Sequence, residues 1–113
     1  MSNEGGNSGL VCQRELGAFD ADRKQRYETL IGEFGNQVEE MKELEDGYAF
    51  RVNGESASIV KLAEWVTLER LCCTFFKFTL EVESESGPVW LSLTGRPGVK
   101  ELLRSEIEAR HSN

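Results

Sequence analysis

A chain of 113 residues, 39% hydrophobic and 29% charged, carries enough apolar material for one folded core and lies outside the compositional range of disordered chains. Its formal net charge of -7 repels a phosphate backbone, and its Lys and Arg residues form no stripe, so no nucleic-acid partner is expected. No run reaches the ~18 apolar residues of a membrane span and no signal-peptide pattern opens the chain, which predicts a cytoplasmic protein with no membrane partner and with reduced thiols.

Residues 1–9 are rich in Gly, Ser and Asn and predict a flexible tail ahead of a single domain over residues 10–113. Leu10-Val11-Cys12, followed by Leu16 and Phe19, has no reason to be apolar in a free tail and is expected to dock on the body. Asp20 reads as an N-cap, and Tyr27, Leu30, Ile31 and Phe34 recur with the helical period, giving a first helix over residues 21–34 that Gly35 and Asn36 should end.

From Gln37 to Val52 the period changes, and Glu45-Asp46-Gly47 supplies turn chemistry for a hairpin. In its second arm Tyr48, Phe50 and Val52 share a face. In its first arm Val38, Met41 and Leu44 stand three apart, which predicts a bulge or a shortened strand.

Gly54 with Ser56 or Ser58 opens a second helix, in which Ile59, Leu62, Ala63, Val66 and Cys73 lie toward one side and Trp65, Leu68 and Cys72 form the next row. So much of its circumference is apolar that it is expected to be the most buried helix. Beyond Cys73 the period becomes two, with Phe76, Phe78, Leu80 and Val82 turned toward the core. A turn at Ser84-Glu85-Ser86-Gly87-Pro88 leads to Val89, Leu91 and Leu93 in a second hairpin. Gly95-Arg96-Pro97-Gly98 starts a last helix with Val99, Leu102, Leu103 and Ile107 on one face. The order αββαββα predicts a two-layer α+β fold, a four-stranded, mainly antiparallel sheet with helices packed on one face.

The adjacent Cys72 and Cys73 fall where the second helix gives way to a strand. Packing explains one buried cysteine comfortably and two neighbours less well, because neighbouring side chains point in different directions. The functional alternative makes them thiolate ligands for a soft ion such as Zn(II), Hg(II), Cu(I) or a trivalent arsenical, with Cys12 brought in from the docked segment. The Cys-x-x-Cys spacing of common zinc sites is absent, and the lone His111 reads as a solvated end residue. A reactive redox thiol is disfavoured by the negative end of the helix dipole.

Glu69 and Arg70 interrupt the same helix. Either Glu69 faces water while Arg70 lays its stem along the core, or the pair is drawn in to support the thiols. No nucleotide, zinc-protease or serine-hydrolase motif is present, so no residue is assigned a catalytic role. Phe75 and Trp90 fall by alternation on the sheet face away from the helices. Such exposed aromatics support the competing reading, a non-catalytic interaction domain that dimerises with its own copy.

The stretch Glu69-Arg70-Leu71-Cys72-Cys73-Thr74-Phe75-Phe76-Lys77-Phe78, followed by Val89-Trp90-Leu91-Ser92-Leu93-Thr94-Gly95, resembles a group of small uncharacterised bacterial proteins with an Arg-x-Cys-Cys-Pro-Phe pattern. The group also has an upstream cysteine and a similar Leu-Thr-Gly end, and the likeness would run from about Leu10 to Arg104. Thr74 stands where the pattern has Pro. The resemblance implies no activity and carries over no site residue; it draws Cys12, Cys72 and Cys73 together as a set.

Overall fold

The computed structural model describes residues 20–111, with side chains through residue 109. The tail over residues 1–9, the docking of Leu10, Val11, Leu16 and Phe19, the position of Cys12 and the side chain of His111 lie outside the described residues.

The carboxylate of Asp20 accepts a hydrogen bond from the Arg23 N–H at 2.8 Å and caps helix α1, Ala21–Gln37. This helix passes through Gly35 and Asn36 instead of ending there. Local capping preference loses to packing: Phe34 stacks on Trp65 at 5.1 Å between centroids and meets Phe50 edge-on at 5.5 Å, so the last turn is held from outside. The Gln37 carbonyl then accepts from the Asn53 N–H at 3.3 Å. Val38, already extended at φ -71° and ψ 123°, begins β1 with no loop between.

Strands β1, Val38–Leu44, and β2, Gly47–Val52, form the first hairpin. Its register shifts between Val38 and Glu40, so that Val38 faces Val52 and Met41 faces Phe50. The bulge expected from the three-residue spacing is therefore there, and it sends Leu44 to the other face, opposite Gly47. Gly47 is required by close approach, since a Cβ there would lie 1.9 Å from the Leu93 carbonyl oxygen.

Helix α2, Ser56–Cys72, starts from Glu55 without a side-chain cap, and Asn53 Oδ1 accepts from the Glu55 N–H at 2.7 Å. Neither Ser56 nor Ser58 caps it, and Ser58 is buried inside the helix. Burial follows one stripe: Ser58, Leu62, Trp65, Glu69 and Cys72. With five buried residues against two in α1 it is the more deeply buried of those two helices, as its apolar circumference predicts, although Val60 and Leu71 stay 66% and 45% exposed.

The second hairpin joins β3, Lys77–Val82, to β4, Val89–Thr94. Glu85 and Ser86 both hold positive φ in its turn, where the Gly87 N–H donates to the Ser84 carbonyl at 3.0 Å. Helix α3, Val99–His111, starts just past Pro97, with Gly98 at φ 100° making the entry bend.

The sheet order is β1-β2-β4-β3, with every neighbour antiparallel, so β1 and β3 are the edges. Phe50, Val52, Val89, Leu91 and Leu93 alternate onto the face that meets Tyr27, Leu30, Leu62, Trp65, Val99 and Leu103 in one core. This is the α+β fold expected from the period changes. At the far end of β3, Leu80 and Val82 remain 38% and 53% exposed, because this edge strand runs past the helical layer instead of being covered. Among the described residues no helix is long and apolar enough to cross a membrane.

Candidate functional site

The site is the last turn of α2. Leu62, Trp65, Glu69 and Cys72 follow one another at intervals of three or four residues, which puts the carboxylate on the same inward stripe as the core. Cys73 ends the helix at φ -120° and ψ 80°, while its N–H still donates to the Glu69 carbonyl at 2.8 Å. That change of backbone direction turns the second sulfur inward beside the first. Both cysteines are 0% exposed.

The two Sγ atoms are 3.8 Å apart. The Cys72 thiol donates to the Glu69 carbonyl at 3.5 Å, and its sulfur lies 4.0 Å from Glu69 Oε1. Glu69, Cys72 and Cys73 each offer a ligand atom, all within 4.8 Å of one another. An ionised carboxylate at 5% exposure costs several kcal/mol unless hydrogen bonds replace water. Tyr27, buried on α1, supplies one: its hydroxyl donates to Glu69 Oε1 at 2.6 Å.

Cys73 is held in a disulfide, against the expectation of reduced thiols. The partner is not Cys72, whose sulfur at 3.8 Å is far beyond the ~2.05 Å of an S–S bond.

Near the site, Arg26 clamps α1 to α2 by gripping Glu64 with two hydrogen bonds of 2.9 and 2.6 Å. The guanidinium holds the Glu64 carboxyl below its ordinary range, chiefly through that hydrogen bonding. Glu69 has a further role, as part of the wall of a cavity of about 360 Å³ that Tyr27, Phe34, Phe50, Trp65 and Phe76 also line. Among the described lining residues there is no Lys, Arg or His.

Of the residues singled out in the sequence, Glu69, Cys72 and Cys73 come together, and Cys12 lies outside the described residues. Glu69 is turned inward, not to water, while Arg70 is exposed and stands outside the ligand group. Phe75 precedes β3 and packs against the core, edge-on to Phe76 at 4.9 Å. Trp90 alone of the expected aromatic pair sits on the sheet's open face, with Lys42 Nζ 4.7 Å above its ring.

The helical period places Tyr27 in the core of α1 and says nothing of its role at the site. The signal that could have found it is the hydroxyl, a polar handle that a buried Tyr must satisfy. No protein-family model, curated protein or solved structure matches this chain. The functional reading therefore rests on the geometry of the site.

Proposed function

We propose that the protein, in its reduced form, binds a soft metal or metalloid ion through the thiolates of Cys72 and Cys73, with Glu69 as the adjoining oxygen donor. The observation that carries this reading is the sulfur separation of 3.8 Å. Two sulfurs each about 2.3 Å from a tetrahedral Zn(II) lie about 3.8 Å apart, so the pair is spaced to share one ion once the Cys73 disulfide is opened. The Tyr27 hydroxyl fixes the orientation of the Glu69 carboxylate, as outer hydrogen bonds commonly do for carboxylates that hold metals. Thiolate ligands select soft ions, among which Zn(II), Hg(II), Cu(I) and As(III) all qualify.

Binding requires that the disulfide of Cys73 first take up two electrons from a dithiol reductant, which returns both of its sulfurs to thiols. Each thiol then gives up its proton as the ion enters. A reducing compartment such as the cytoplasm suits that demand. Cys12 is the candidate for one more thiolate. The competing reading, a homodimer through the open face, rests on Trp90, whose ring Lys42 already covers.

Titration of the reduced chain with Hg(II) is expected to give thiolate charge-transfer absorbance, and titration with Zn(II) proton release and a higher melting temperature. A Cys72→Ser, Cys73→Ser variant that binds either ion as tightly as the parent would rule the reading out.

A further inference from the structure

The cavity is far larger than one ion needs, and the proposed ion site adjoins it through Glu69, whose side chain belongs to both. Its walls are mainly aromatic and aliphatic. Trp65, 3% exposed, contributes to them an indole whose Nε1 has no hydrogen-bond partner among the described residues. A buried N–H left in this way is costly, and an aryl ring can offer it a π face. A bare ion would leave all of this unused. A soft element that carries its own organic group would use it.

We infer that the site takes a monosubstituted trivalent arsenical, with arsenic bonded to Cys72 and Cys73 and the organic substituent in the cavity. This rests on the reading above, that the reduced pair binds a soft element. Trivalent arsenic keeps one carbon substituent while making two bonds to sulfur, which fits two adjacent sulfurs 3.8 Å apart whose ligand-group neighbour Glu69 lies in the wall of an apolar cavity. With phenylarsine oxide as the probe, the two S–H bonds and the As–O bonding break and two As–S bonds form. The oxygen leaves with both protons as water, and arsenic stays trivalent. A dithiol reductant supplies the two electrons that first open the Cys73 disulfide.

The test compares phenylarsine oxide with arsenite, which delivers the same element without the ring. Both are competed against a small dithiol, so that the intrinsic strength of As–S bonding cancels. The full reduced chain should prefer the phenyl compound over arsenite by at least about tenfold more than the small dithiol does, because the ring leaves water for the cavity.

A Gly32→Leu, Gly35→Leu variant narrows the cavity at two lining positions where an added Cβ meets no described atom within 4 Å; a parent-like melting transition and parent-like arsenite binding are checked first. Its extra preference for the phenyl compound should disappear. If the parent binds arsenite but shows no extra preference, or if the variant retains it, the inference about the cavity is overturned and the thiol site stands. If the reduced parent binds neither compound better than the Cys72→Ser, Cys73→Ser variant does, both readings fall.

Discussion

Both edge strands of the sheet are fed by a helix, and the two junctions differ in what they bury. At the first, α1 runs into β1 without a break, and its last turn is Gly35, Asn36 and Gln37, exposed or half-buried and polar. At the second, α2 reaches β3 through residues 73–76, and its end sinks a carboxylate and two sulfurs completely into the core. A helix can therefore meet an edge strand in this fold with a last turn that buries no side-chain carboxylate or sulfur among the described residues. The second junction instead buries a carboxyl group, a thiol and a disulfide sulfur, and the reading proposed above is that these hold a ligand once the disulfide is reduced.

The largest effect should come from withdrawing support from the buried carboxylate. Tyr27→Phe removes the hydroxyl that Glu69 Oε1 accepts from and changes little else in volume, so it should cost about 1–3 kcal/mol in a denaturant titration. A midpoint within error of the parent would mean that Glu69 is satisfied without Tyr27, and the contrast between the junctions would weaken.

A smaller effect of opposite sign is expected at the first junction. Gly35 sits within a helix with open space where a side chain would go, so Gly35→Ala should stabilise by about 0.5–1 kcal/mol. Loss of stability there would show that the first junction also hides a backbone demand.

The smallest effect should be that of the clamp between the two helices. Because Arg26 lowers the folded-state value of Glu64, the stabilisation from this pair is present above the unfolded carboxyl range and lost as pH falls through the lowered value. Both side chains are well exposed, so the loss should be slight and should shrink further in salt. Melting temperature measured across acidic pH for the parent and Glu64→Gln checks it, the two curves converging at the acid end.

The element order and the sheet were legible because the change from helical to strand period is a local property of each segment. The bulge in β1 was legible for the same reason, from the spacing of Val38 and Met41. The end of α1 was not, because the stack of Phe34 on Trp65 that carries the helix past Gly35 joins distant parts of the chain. At the site, the adjacency of Cys72 and Cys73 was visible at once. The inward turn of Glu69 was not, although its interval from Trp65 and Cys72 matches the buried stripe. A carboxyl group belongs in water unless partners replace the water, and one of them, the Tyr27 hydroxyl, lies 42 residues earlier. The cavity could not be read at all, since residues from all three helices and from β1, β2 and β4 line it jointly.

X-ray absorption at the zinc edge, on the reduced chain loaded with one equivalent of Zn(II), tests most directly whether the second junction is a ligand site. Two or more sulfur neighbours at about 2.3 Å, lost in the Cys72→Ser, Cys73→Ser variant, are the expected result. A first shell made only of oxygen and nitrogen would contradict it and return the two cysteines to the core as packing.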